Sequence, residues 1–196
     1  MVGLRRLRGP SSHAPRARAA LIGLMRRYLG GLLDPFVTLL EVHKLMYFMQ
    51  EAGEPLRLRH VAGPYGPCAE NLRYVLRAVE GYYVSGYGDG GDAPDKVLQI
   101  VPGAVASARA SLEAHPESRA RCEKVVHLVE GFGSPFGLEL LATVHWIVAR
   151  DHPVAEEDLI ARVYAWAERK RQFSAQQIRV AQRVLAERGW MASAGA

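Results

Sequence analysis

The sequence predicts a mainly α-helical fold: a compact helical domain with a small β-hairpin or ribbon and a C-terminal part that is helix-turn-helix-like (winged-helix-like). Three observations carry this expectation. Apolar residues recur at three- and four-residue intervals over most of the chain. Glycine and proline interrupt it at helix-sized distances. Only two short segments alternate as strands do. With 196 residues, 49% of them hydrophobic, the chain is long enough to bury one good core.

Residues 1–18 read as a basic, flexible arm or linker remnant, because Pro10 to Arg18 is polar and broken by proline. Ala19 to Leu33 can form a helix. Asp34 and Pro35 then suit an N-cap followed by proline at the first helical position. The next helix places Leu39, Val42, Met46 and Met49 on one stripe. Phe36, Leu40, Leu45 and Phe48 are apolar too, so this helix should lie at the centre of the core, ending at Gly53. Lys44, Leu45 and Tyr47 on it are expected to be structural. Leu56 to Val61 is a candidate edge strand. Gly63-Pro64 and Gly66-Pro67 form a stiff turn, and a helix from Pro67 to about Val79 turns Leu72, Leu76 and Val79 inward until Gly81 breaks it. Val97 to Val101 is the second strand candidate, expected to pair with Leu56 to Val61.

From Pro102 the chain reads as helical, with separators at Pro116, Gly131 to Gly137, His152-Pro153 and Phe173-Ser174. Leu141, Val144 and Val148 form one stripe, and Leu159, Val163 and Trp166 another. Ser174 and Gln177 have capping-box spacing. Ile178, Ala181 and Leu185 face inward, and Gly189 supplies the stop. The organisation expected is a domain over 19–191, with a helical core at 19–130, a C-terminal subdomain at 131–191 and a tail at 192–196.

Net charge is +5, but it is unevenly placed. Residues 1–27 hold seven arginines and no acid, whereas the remainder holds 18 basic and 20 acidic residues. Two distant cysteines, Cys68 and Cys122, indicate neither a disulfide framework nor a zinc site. No apolar run is long enough to span a membrane, and no secretory signal is evident, which points to a cytoplasmic protein. The sequence contains no G-x-S-x-G, H-E-x-x-H or P-loop pattern. His43 and His145 fall within apolar helices and read as core residues. No catalytic residue, metal ligand or cofactor is assigned, and the chain reads as a non-enzyme.

Two binding surfaces remain open. Arg169, Lys170, Arg171, Arg179, Arg183 and Arg188 lie on the helix-turn-helix-like part, where such residues neutralise phosphates. Acidic neighbours interrupt them, so direct nucleic-acid binding is not the favoured reading. The segment from Gly63 to Lys96 is more distinctive: Glu80, Asp89, Asp92 and Asp95 lie among glycines and tyrosines with no basic residue between Glu80 and Asp95. Asp89, Asp92 and Asp95 can stand in for phosphates, while Tyr82, Tyr83 and Tyr87 can occupy base-stacking sites. Tyr65, Glu70 and Asn71 would present from the turn before it. The alternative is an ordinary polar loop with half-buried tyrosines.

LLEVHKLMYFMQEAGEPLRL (39–58), GPYGPCAENLRYVLRAVEG (63–81), SGYGDGGDAPDK (85–96), GFGSPFGLELLATVHW (131–146) and RVYAWAERKRQFSAQQI (162–178) together resemble the C-terminal domain of the DarG antitoxins, over roughly Ala19 to Met191. KLMYFMQ followed by a YGP turn is more distantly similar to the Panacea antitoxin domain. The resemblance implies a bacterial antitoxin domain, joined in full-length members to an ADP-ribose-removing macrodomain. Its implied partner is a DarT-like toxin, an ADP-ribosyltransferase that modifies thymidine in single-stranded DNA with NAD. The implied mechanism is DNA mimicry, and on the chemistry of the loop and the turn before it Tyr65, Glu70, Asn71, Tyr82, Tyr83, Tyr87, Asp89, Asp92 and Asp95 are the expected contact residues. The other reading is a winged-helix-like DNA-binding or autoregulatory module.

Overall fold

The computed structural model describes residues 13–30, 36–88 and 90–191. Its elements run, in chain order, α1 (His13–Gly30), β1 (Val37–Thr38), α2 (Leu39–Glu51), β2 (His60–Gly63), β3 (Gly66–Ala69), α3 (Leu72–Val79), β4 (Val84–Ser85) and β5 (Val97–Ile100). Then follow α4 (Ala104–Glu113), α5 (Pro116–Val129), α6 (Pro135–Asp151), α7 (Glu156–Trp166), a 3-10 turn (Glu168–Gln172) and α8 (Ala175–Glu187). The described part is mainly helical with small antiparallel sheets, as the periodicity predicts.

Two helices form the centre. On α2 every residue from Leu39 to Met49 except His43 is buried, and on α6 Gly137 to His145 and Ile147 are buried. The two pack on each other, with α1, α5 and β3 also against α2, and α7, α8 and β3 also against α6. One continuous hydrophobic cluster runs from Ala20 on α1 to Trp190 after α8. Such all-round burial leaves little room for free polar groups, and the buried ones on α2 and α6 are matched. Glu41 accepts from the Tyr28 hydroxyl at 2.7 Å, and the Tyr47 hydroxyl lies 2.7 Å from His145 Nδ1.

Several expected boundaries move. Helix α1 starts at His13, inside the stretch read as a flexible arm; Pro15 falls in the first turn, where its missing N–H is no loss. Asp34 and Pro35 lie outside the described residues, as do residues 1–12 and 192–196. The cap of α2 is Thr38: its hydroxyl accepts from Glu41 N while Glu41 accepts from Thr38 N, a complete capping box. The backbone of Gly66 to Ala69 extends rather than coils, and α3 begins only at Leu72. Pro67 there pairs with Ala62 across a hairpin. The expected ribbon between Leu56–Val61 and Val97–Val101 does not form. Strand β2 pairs with β3, joined by a tight turn, while β5 lies between β1 and β4. The nearer partner wins, since a short hairpin closes a smaller loop.

The C-terminal third follows the expected pattern closely. Ser174 and Gln177 complete a second capping box, Ile178, Ala181 and Leu185 are buried, and Gly189 is left-handed with φ 69°. Among the described residues, no helix is long and apolar enough to cross a membrane.

Candidate functional site

A cleft of about 350 Å³ opens where four segments meet: the start of α2, the β2–β3 hairpin, the start of α3, and the 87–94 loop. Its walls are largely apolar, with Leu39, Leu40, Val61, Pro64, Leu76 and Pro94 among them. A few polar groups interrupt them, which is the usual constitution of a small-ligand site.

The first turn of α2 sets the floor. Two of its amides are satisfied by the loop opposite, Leu39 N donating to Lys96 O at 2.8 Å and Leu40 N to Pro94 O at 3.0 Å. This seats the loop across the helix N-terminus. Within the loop Glu80 accepts from Gly86 N and Tyr87 N, and Lys96 Nζ donates to Tyr87 O at 2.9 Å. Gly86 has φ 103° and its missing Cβ would run into Val97 O, so only glycine fits there.

The hairpin forms the opposite wall and is held from behind. Trp166 Nε1 donates to Gly63 O at 2.8 Å, and Lys44 Nζ donates to Pro67 O at 2.8 Å. Gly66 has φ 90°, and a Cβ on it would come within 2.9 Å of Thr143 Oγ1. At the tip the Arg169 guanidinium stands 4.2 Å from the centre of the Tyr65 ring. Arg169 in turn forks onto Glu139 at 3.0 and 2.9 Å, and Lys170 Nζ meets the same carboxylate at 2.7 Å. Burial pushes Glu139 up, yet the hydrogen bonds from Arg169 and Lys170 outweigh it and hold its pKa below the usual carboxylate range.

Two titratable groups line the cleft from α2. Burial, reinforced by Lys44 and His60, lowers the His43 pKa to about 3, so its imidazole is neutral at physiological pH. Its Nδ1 accepts from Ala69 N at 3.5 Å, which assigns the ring proton to Nε2. Burial likewise lowers Lys44 to about 7. At the mouth Arg73 pairs with Glu70 at 2.9 Å. Among the described residues no group of three or more His, Cys, Asp or Glu side chains is placed to hold a metal ion.

The structure separates the sequence-derived site residues. Tyr65, Glu70 and Asp92 do converge on the cleft, and Asp95 lies beside it in an adjoining hollow that also borders on Tyr65 and Pro94. Asn71 has a different role: its side chain donates to Arg57 O and accepts from Arg59 N, clamping a backbone in which Arg57 is left-handed at φ 58°. Tyr82 is 80% exposed and Tyr83 packs against the core, and neither lines the cleft. Tyr87, expected as a stacking group, borders the cleft but is only 1% exposed. Its backbone is fixed by Glu80 and its ring is part of the core. Asp89 lies outside the described residues. Sequence reasoning missed His43, Arg73 and Arg169. The Y-G-P turn marked the wall, but nothing in the sequence connected it to residues a hundred positions later.

Five of the six basic residues singled out on the C-terminal helices are engaged by acidic side chains or backbone carbonyls, and the sixth, Arg183, is exposed. Arg169 and Lys170 converge on Glu139, Arg171 pairs with Glu168 and Arg179 with Glu156. Arg188 Nη1 donates to His127 O, Leu128 O and Glu130 O, capping the end of α5.

With this geometry in place, known proteins give a context. The chain is 39% identical over 173 residues to a protein of Thermus aquaticus named DNA ADP-ribosyl glycohydrolase, an alignment that covers 88% of this chain and 47% of that protein. Proteins of the same name from Mycobacterium tuberculosis and Mycobacterium bovis are 34% identical over 165 residues, with 78% of this chain and 47% of theirs covered. The chain spans about half the length of the curated relatives it matches. No family model matches it.

These relatives are named for an enzyme of ADP-ribosylated DNA, not as DarG toxin-binding or Panacea antitoxin domains. That finding overturns the antitoxin expectation, with its DarT-like partner and its mechanism of DNA mimicry. It equally overturns the reading of the chain as a non-enzyme that leaves nucleic acid alone.

Proposed function

We propose that the chain acts in the removal of ADP-ribosyl groups from DNA, as residues 19–191 of a protein like the glycohydrolases it resembles, in a bacterial cytoplasm. The observation that carries this reading is the 39% identity over 88% of the chain to a protein so named. The bacterial sources of the relatives and the lack of a membrane-spanning helix among the described residues support the location.

The geometry is compatible with such a role. Glycosidic hydrolysis transfers the ADP-ribosyl group from the base to a water molecule, so a site for it must enclose the modified base and still admit that water. The cleft beside Tyr65 offers that enclosure, with Glu70 and Asp92 contributing carboxylates. The test is a single-stranded oligonucleotide carrying one ADP-ribosyl group, set against the same strand without it. The chain is expected to bind the modified strand at least tenfold more tightly and to accelerate release of free ADP-ribose, followed by chromatography. Equal binding of the two strands with no release above the protein-free rate would overturn the proposal.

A further inference from the structure

We propose that the cleft between α2, the β2–β3 hairpin and the 87–94 loop takes an unstacked nucleobase, a neutral flat heterocycle, and not a phosphate or pyrophosphate. This rests on the reading above only in taking DNA as the ligand.

Charge decides between the two kinds of group. A phosphate site needs cations or a row of amides free to face the anion. Here the cation at the mouth, Arg73, is already paired with Glu70 at 2.9 Å and also feels Asp92. Lys44 is 1% exposed, and its ammonium donates to Pro67 O. The leading amides of α2 are taken by Lys96 O and Pro94 O. An anion entering the cleft would meet the Glu70 and Asp92 carboxylates, while the nearby cations Arg73, Lys44 and Arg169 already hold partners within the fold.

A base meets better-matched surroundings. The walls are apolar, and the volume of about 350 Å³ falls at the small end of ligand cavities, enough for one base with part of its sugar. His43 supplies a neutral imidazole whose Nδ1 is taken by Ala69 N, which leaves its Nε2–H as a donor for an acceptor on the edge of a heterocycle. Tyr65 supplies an aromatic ring whose position is fixed before any ligand arrives. Arg169 lies over it at 4.2 Å, Glu139 fixes Arg169, and Trp166 ties down the neighbouring Gly63 carbonyl. A ring so held loses little freedom when a base settles on it.

The test compares unmodified single-stranded oligonucleotides by fluorescence anisotropy with the full chain. One strand is intact, and the other has the same length and phosphate backbone with every position abasic. Intact DNA is expected to bind about tenfold more tightly, thymidine or adenosine should compete, and inorganic pyrophosphate should not. Tyr65→Ala should abolish the difference between the strands while leaving the thermal midpoint within a few degrees, and Tyr65→Phe should retain it. Equal affinity for both strands, competition by pyrophosphate alone, or no binding of either strand would each overturn the inference. Because neither strand carries ADP-ribose, the outcome is separate from that of the ADP-ribose test.

Discussion

Arg169 holds its guanidinium 4.2 Å from the centre of the Tyr65 ring while both arms of its fork rest on the buried carboxylate of Glu139. The two residues are 104 positions apart, so this contact joins the C-terminal helices to the hairpin wall of the cleft. Replacing Arg169 by Lys keeps the charge but loses the planar fork and the face-on contact. Since the Arg169 side chain is partly solvated, the expected loss of stability is modest, about 1–2 kcal/mol by urea unfolding. The effect on base binding should be larger than that stability change suggests.

Glu139 is the stricter requirement. Its neighbour Lys170 is fully buried, and its ammonium depends on that carboxylate. Glu139→Gln leaves an uncompensated buried charge and should cost about 3–5 kcal/mol of unfolding free energy. Glu139→Gln combined with Lys170→Met should recover much of the loss. A double variant as unstable as the single one would show that packing, not charge, is at stake.

Stability should also fall in mild acid. Burial lowers His43 to about 3 and His60 and His145 to about 4, from an ordinary 6.5. Below pH 6.5 the unfolded chain therefore takes up protons that these three folded rings refuse, so the stability they contribute is complete above about 6.5 and declines toward pH 4. His145 alone accounts for at most about 3 kcal/mol of this. Thermal midpoints measured from pH 7 to pH 4 should drop steadily, and a flat profile would contradict the burial of these rings.

The hairpin tip makes a further demand. Gly66 needs both a left-handed backbone and open space beside Thr143, whereas Gly81 has φ 75° and nothing within 4 Å of its absent Cβ. Gly66→Ala should thus cost more than Gly81→Ala, by about 1–2 kcal/mol, since both carry the backbone strain and only the first a clash. Denaturant midpoints of the two variants give the comparison directly.

Tyr82 and Tyr87 should respond in opposite ways. Tyr82→Ala removes an exposed ring and should leave stability within about 0.5 kcal/mol. Tyr87→Ala empties a core position and should cost about 3–5 kcal/mol. Equal effects in calorimetry would put the ring of Tyr87 back among the surface groups.

The difference between these two tyrosines shows what the sequence made legible. Helical periodicity identified α2 and α6–α8, because burial on one face leaves a repeating trace in the residue order. The acidic Gly63–Lys96 stretch was recognised as distinctive, and Tyr65, Glu70 and Asp92 from it do meet at the cleft. What could not be read was orientation. Glu80 turns inward to brace Gly86 and Tyr87, and Asn71 braces Arg57 and Arg59, although both look like surface groups in the sequence. The ribbon pairing failed for a related reason: two short strands leave no mark of which partner each will choose. The sequence leaves a phosphate-binding face at 169–171 open as the less favoured reading, because Glu139, thirty residues earlier, gives no local sign that it will pair with two of the three.

The most direct measurement is a titration of the chain with paired oligonucleotides that differ by one ADP-ribosyl group, with free ADP-ribose followed in the same samples. The account predicts at least tenfold tighter binding of the modified strand and ADP-ribose release above the protein-free rate. Identical affinities with no release would contradict it.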